Sequence, residues 1–82
     1  MTAEEFGRIL DREVEEALNN CEILKEYPGD KPYPSMLILG FTALGRPLHI
    51  VVAYRIEEGI FILVTVYEPD PKKWDNYRIR KE

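Results

Sequence analysis

Two three-residue loops that end in glycine constrain the fold of this chain more than any other feature. The loops "ALG" and "EEG" separate three apolar segments, "SMLILGFT", "RPLHIVVAYR" and "IFILVTVYE". A three-residue hairpin loop usually combines a type I turn with a left-handed closing residue, and glycine adopts that conformation at the lowest cost. The sequence therefore predicts two β-hairpins, an antiparallel meander of three strands, and positive φ at Gly45 and Gly59.

The segment before the meander predicts a helix. Thr2 is a candidate N-cap and Glu5 its capping-box partner, and Asn19-Asn20 is expected to end the helix in a left-handed conformation. An apolar stripe at steps of three and four comprises Phe6, Ile9, Leu10, Val14, Ala17, Leu18 and Cys21. Cys21 is expected to be a packed apolar group, and Cys21→Ala to cost on the order of 1 kcal/mol.

The remaining segments complete an α+β architecture. "CEILKEY" predicts a short strand and "PGDKPYPS" an ordered loop, while two prolines end the last strand before a helical turn around residues 72–76. We expect one domain over residues 1–82, in which one N-terminal helix packs on a meander sheet of three to four strands. A short C-terminal helical turn follows the sheet.

Composition excludes several classes of protein. A chain of 82 residues that is 45% apolar is not disordered, but its core is thin, so help from a partner is expected. The longest apolar run, "IFILVTV", is far shorter than the roughly 20 residues of a membrane helix. A single cysteine and no secretion signal indicate a cytoplasmic protein without a disulfide. No cofactor, metal or membrane partner is expected.

The hairpins also predict two faces of the sheet, because opposed residues in adjacent strands point to the same side. The aliphatic face comprises Met36, Ile38, Leu48, Ile50, Val52, Ile60, Ile62, Val64 and Val66. The histidine face comprises Leu37, Leu39, Phe41, His49, Val51, Ala53, Arg55, Phe61, Leu63, Thr65 and Tyr67. The helix should cover the aliphatic face, which leaves the histidine face too apolar to remain in water.

We therefore expect the histidine face to be covered by another chain, in a homo-oligomer or with a protein partner, or by the C-terminal segment. The predicted interface residues are Leu39, Val51, Leu63 and Trp74.

His49, the only histidine, allows three hypotheses. A structural imidazole would bond Tyr67 or a backbone carbonyl at a contact. A catalytic imidazole would act as general base or acid beside Tyr67 and Arg46, in cleavage of RNA by its own 2′-hydroxyl. A metal role lacks other ligands at zinc spacing.

A basic tail is the second candidate site. "PKKWDNYRIRKE" holds five bases and two acids, whereas the whole chain has a net charge of −4. Arg55, Lys72, Lys73 and Arg78 are candidate phosphate or RNA ligands, because bases interleaved with aromatic residues suit a nucleic-acid backbone and its stacked bases. The alternative is an ordinary solvated surface.

Three blocks, "YPGDKPYPSMLILG", "GRPLHIVVAY" and "TVYEPDPKKW", resemble the bacterial and archaeal family known as domain of unknown function 4258, over about residues 9–78. The resemblance implies a relation to RelE-like and BrnT-like toxins, with a helix followed by an antiparallel sheet and, at most, ribonuclease activity. The matching polar positions are Arg46, His49, Tyr67 and Glu68.

The N-terminus departs from the family pattern. Family members usually begin with a pattern like "HAxxRMxxRGI", whereas this chain has "MTAEEFGRIL", in which Arg8 matches and the histidine is missing. If the upstream histidine takes part in the family's chemistry, the resemblance implies a truncated or inactive protein.

Two functions follow as hypotheses. The first is a protein-interaction module of toxin-like descent that dimerises or binds a partner. The alternative is a toxin-like ribonuclease that uses His49, Tyr67 and Arg46. The sequence pI near 5.0 favours the first, because RNA-directed proteins are typically basic.

Overall fold

A computed structural model describes residues 8–81. Its elements are helix α1 (Asp11–Leu18) and strands β1 (Cys21–Tyr27), β2 (Ser35–Phe41), β3 (Pro47–Arg55), β4 (Ile60–Tyr67), β5 (Trp74–Asp75) and β6 (Ile79–Arg80). The first four strands form one antiparallel sheet in the order β1-β2-β3-β4, and β5 pairs with β6 in a separate hairpin. The predicted α+β class and the meander are confirmed.

Both glycine predictions are also confirmed. Gly45 has φ of 84° and Gly59 has φ of 65°, so each glycine supplies the left-handed residue of its hairpin. The amide of Gly45 donates to the carbonyl of Thr42 at 2.9 Å, which closes the first turn. In the described part of the chain, no helix is long and apolar enough to cross a membrane.

The helix is shorter than the apolar stripe indicates. It begins at Asp11, and the Glu13 carboxylate accepts a hydrogen bond from the amide of Leu10 at 3.0 Å. The predicted cap at Thr2 and Glu5 lies outside the described residues. The predicted left-handed stop is wrong, because Asn19 is right-handed with φ of −75°, and Asn20 is not among the residues with positive φ.

The core lies between α1 and the aliphatic face. Its buried residues are Ala17, Ile38, Leu48, Ile50 and Val52. Gly40 lets the helix approach β2, because a Cβ atom there would lie 2.2 Å from the carbonyl oxygen of Ala17.

Cys21 does not belong to this core. It is the exposed first residue of β1, which corrects its assignment to the helix stripe.

The predicted register of β3 and β4 is wrong for half of β4. A 3₁₀ turn at Ile56–Glu58 lengthens the loop by one residue, so Ile60 lies opposite Arg55 rather than Ile56. A β-bulge at position 64 then restores the predicted pairing, with Tyr67 opposite His49. Consequently Phe61 and Leu63 lie on the aliphatic face and Ile60 and Ile62 on the histidine face, the reverse of the prediction.

The C-terminal segment forms a hairpin that the sequence did not predict. The predicted helical turn is limited to Asp70 and the residues after it, since the amides of Lys73 and Trp74 both donate to the Asp70 carbonyl. Strands β5 and β6 then meet at a turn in which Asn76 and Tyr77 both have positive φ, of 52° and 62°. This hairpin places Trp74 over the histidine face, next to His49.

Candidate functional site

His49 lies in the middle of β3, between Leu39 on β2 and Tyr67 on β4. It has no exposed surface, and both of its ring nitrogens have polar partners. Its Nδ1 atom lies 3.2 Å from the hydroxyl of Tyr67, and its Nε2 atom lies 2.6 Å from the backbone carbonyl oxygen of Tyr77. The imidazole is therefore fully hydrogen-bonded within the chain.

The two partners fix the protonation of this ring. A carbonyl oxygen only accepts, so Nε2 carries a proton and donates to Tyr77, and Nδ1 of the neutral ring accepts from the Tyr67 hydroxyl. Burial lowers the pKa of His49, and the bond to Tyr77 opposes that shift only in part. Burial also raises the pKa of Tyr67, which keeps its phenol protonated as a donor. These are the bonds that the structural hypothesis for His49 requires.

The C-terminal hairpin covers His49 from the histidine face. The Trp74 ring stands perpendicular to the imidazole, with centroids 4.4 Å apart. Tyr77 has a left-handed backbone that is uncommon for a bulky residue, and its carbonyl bond to His49 and edge contact with Phe41 hold it there. An RNA 2′-hydroxyl can reach His49 only if this hairpin is displaced.

Arg46, the second predicted catalytic residue, joins α1 to the end of β4. Its Nη1 donates to the Glu13 carboxylate at 3.1 Å and to the Arg8 carbonyl at 2.9 Å, and its Nε donates to Glu68 at 2.5 Å. The bond to Glu68 is the largest cause of a raised pKa at Arg46. The pKa of Glu13 is lowered, first by the Leu10 amide and further by Arg46. Both carboxylates form ion pairs with the Arg46 guanidinium, and these bonds between α1 and the end of β4 favour a structural role for Arg46.

The predicted phosphate ligands do not converge. Arg55 bonds Glu58 and lies over the Tyr33 ring beside a surface groove of about 380 Å³, at the β3–β4 turn. Arg78 donates to Glu22 at 3.0 and 2.7 Å, near the His49 end of the sheet. His49 and Arg55 are six positions apart in β3, so these two ends of the sheet lie about 20 Å apart. Lys72 and Lys73 are exposed beyond β4.

The predicted interface residues also lie apart. Leu39 is completely buried within the chain, and Val51 is half-buried on the histidine face. Leu63 lies opposite Val52 on the aliphatic face, because of the shifted register, so it does not share a surface with the other two. Trp74 lies against His49 in the same chain.

Sequence reasoning missed the exposure of β4. Among residues 8–81, this edge strand pairs only with β3, and its apolar side chains are open on both faces: Phe61 is 67% exposed, Leu63 51% and Val64 58%. Ile60 and Ile62 are also exposed. The signal was the segment "IFILVTVY" itself, eight residues without a charge, proline or glycine. We call residues 60–64 the β4 strip.

A family model described as "Domain of unknown function (DUF4258)" matches residues 5–68, which are 64 of the 82 residues. The chain belongs to this family. The match covers α1 and the four-stranded sheet, and it ends at Glu68, before the hairpin that covers His49. A search of the curated proteins and a search of the solved structures each found no match. The relation to RelE-like toxins stays a prediction.

The N-terminal departure from the family pattern falls mostly outside the described residues. Arg8 is described, and its carbonyl accepts a bond from Arg46. Within residues 8–81, no group of three or more histidine, cysteine, aspartate or glutamate side chains is arranged to hold a metal ion.

Proposed function

We propose that this domain of the DUF4258 family is a protein-interaction module that binds a polypeptide strand along β4. The observation that carries the proposal is the β4 strip, five consecutive apolar residues exposed on an edge strand. An edge strand presents unpaired backbone N–H and C=O groups, and an added strand satisfies them while it covers the side chains.

The energy available at this edge supports the proposal. Five side chains that each expose on the order of 80 Å² offer roughly 400 Å² of apolar surface. At about 25 cal/mol per Å², covering that surface is worth about 10 kcal/mol before association costs of roughly 4–15 kcal/mol. A strand partner can therefore bind with a net gain once its backbone hydrogen bonds are added.

The polar candidates favour this function over RNA cleavage. His49 bonds Tyr67 and Tyr77 and has no exposed surface, and Arg46 bonds two carboxylates. A general base and a phosphate ligand both need access to the substrate. The β4 strip, in contrast, already faces solvent.

A strand-forming probe tests the proposal. The probe is a peptide of alternating valine and threonine with a lysine at each end, titrated into ¹⁵N-labelled protein at a concentration where light scattering shows single copies. We expect amide shifts and slower hydrogen exchange along Ile60–Tyr67, because the added strand pairs with that edge.

Two variants with similar starting exposure serve as a matched pair. Val64→Lys places a charge on β4, and Ile23→Lys places one on β1, where Ile23 is 55% exposed. Val64→Lys should abolish the shifts on β4, and Ile23→Lys should leave them unchanged. Shifts confined to β1, or none at millimolar peptide, would contradict the proposed function.

A further inference from the structure

We infer that the strand added to β4 is β4 of a second copy of this chain, paired antiparallel across a two-fold axis. The two four-stranded sheets then form one continuous sheet of eight strands. This inference rests on the proposed function and adds to it the identity of the partner.

The charge pattern favours self-pairing. With the two-fold axis at Ile62, residues 60–64 of each copy lie opposite residues 60–64 of the other. That segment contains no charged residue, so no like charges meet, and its β-branched and aromatic residues form favourable cross-strand pairs. Strand β1 carries Glu22, Lys25 and Glu26, and its self-pairing would bring acidic side chains together in several registers.

The regular half of β4 indicates the register. From Ile60 to Leu63 the side chains alternate without interruption, and the bulge follows at position 64. A two-fold axis at Ile62 places Phe61 of each copy opposite Leu63 of the other, on the aliphatic face. These two side chains are 67% and 51% exposed in the single chain, and in this register each covers the other.

The side-chain area of the two β4 strips comes close to what a dimer needs, and the backbone of the paired edges adds the remainder. The β4 strip offers roughly 400 Å² per copy, or about 800 Å² for two copies, and the backbone of both edges adds to it. A specific interface buries about 1,000 Å² or more in total, so this contact is at the small end of stable interfaces. We expect a dimer that dissociates at micromolar concentrations.

Symmetry explains why assembly stops at two copies. Pairing β4 with β4 uses the same surface on both chains, so the contact closes and leaves no free β4 edge. The two outer edges of the eight-stranded sheet are then β1, whose charged side chains oppose further strand addition.

Light scattering across a concentration series tests the assembly. We expect a monomer–dimer equilibrium between about 1 and 200 µM. Val64→Lys should shift the dissociation constant upward at least tenfold, and Ile23→Lys should shift it less than twofold. A chain that stays monomeric at 200 µM, a dimer unaffected by Val64→Lys, or an open polymer would overturn the inference.

Disulfide cross-linking tests the register. In a Cys21→Ser background, Ile62→Cys places the two thiols at the axis, where opposed Cα atoms lie about 4.5–5.5 Å apart, within disulfide range. Val64→Cys places them four residues out of register, about 13 Å apart in a strand. We expect oxidation to link the first variant and not the second, and the reverse result would overturn the register.

The two proposals fail in different ways. If the chain is monomeric but the valine–threonine peptide binds along β4, the second copy is excluded and the strand-binding function stands. If the peptide does not bind and no dimer forms, both are wrong.

Discussion

The two edge strands of the sheet are built differently. Strand β1 has three charged residues among seven, and Glu22 joins it to Arg78 of the C-terminal hairpin. Strand β4 has eight residues, none of them charged. Charged side chains on an edge are the usual protection against unwanted strand pairing. The same chain therefore has charged side chains on the β1 edge and none on the β4 edge. The small size of the domain does not explain the apolar β4 edge, because it applies equally to β1.

The covering elements show the same asymmetry. Helix α1 packs on β2 and β3 from one face, and the C-terminal hairpin packs over His49 and reaches Glu22 on β1 from the other. The β4 strip is exposed beyond both of them. The interior strands are therefore stabilised from both faces, whereas β4 depends mainly on its pairing with β3.

The largest stability effect is expected when an aromatic residue is removed from the covered side. Trp74→Ala should lower the free energy of unfolding by about 2–3 kcal/mol, less than the ~3–5 kcal/mol typical of a fully buried tryptophan, because Trp74 is only half-buried. It also uncovers His49. Urea denaturation at a concentration where the chain is monomeric measures the loss.

Phe61→Ala is the matched control on the open side. Phe61 is 67% exposed, and its ring lies 6.3 Å from the Tyr54 ring between centroids, so its removal should cost about 1 kcal/mol or less. Equal losses in the two variants would show that the C-terminal hairpin over His49 and the exposed strand β4 contribute equally to stability. That result would contradict the proposed difference between these two regions.

Local chemistry explains what the sequence could predict. Gly45 and Gly59 mark the hairpins because a left-handed turn residue is a local requirement, and the apolar runs mark the strands. Opposed positions in the resulting meander bring Tyr67 next to His49. The bulge at position 64 was not predictable, since nothing in "IFILVTVY" marks one residue as extra.

The cover over His49 depends on contacts distant in sequence. The hairpin turn uses left-handed backbone at Asn76 and at Tyr77, and a tyrosine does not normally indicate such a turn. Its conformation is held by the bond from His49, 28 residues away. Reasoning from local preferences gave a helical turn instead, and it left His49 open to a catalytic interpretation that its burial does not favour.

A smaller, pH-dependent effect on stability is expected from His49, which lies under the C-terminal hairpin. The folded-state pKa of His49 is lowered from the ordinary value of 6.5, so the unfolded chain binds a proton more readily than the folded chain. The stabilising contribution is complete above about pH 6.5 and is lost as the pH falls towards the lower folded-state pKa. The free energy of unfolding should therefore decrease between pH 7 and pH 5.

His49→Gln is the control, since glutamine does not titrate. This variant should be less stable at pH 7, because its side chain does not reproduce the ring contacts with Trp74 and Tyr67, and its stability should change less between pH 7 and pH 5. Parallel pH profiles for the two proteins would exclude His49 as the origin of the effect. The monomer–dimer equilibrium should not change between pH 7 and pH 5, because the β4 strip contains no titratable group.

The smallest effect is expected at the start of the protected edge. Cys21 is exposed, lies opposite Gly40, and donates from Sγ to the Leu18 carbonyl at 3.3 Å. Cys21→Ser retains a donor at this position, so the free energy of unfolding should change by less than about 0.5 kcal/mol. Cys21→Ala removes the donor, and the difference between the two variants in urea denaturation measures that bond. A loss near 1 kcal/mol in both variants would instead indicate that the thiol is packed, as its assignment to the helix stripe implied. Such a loss would contradict the exposed position of Cys21 at the start of β1.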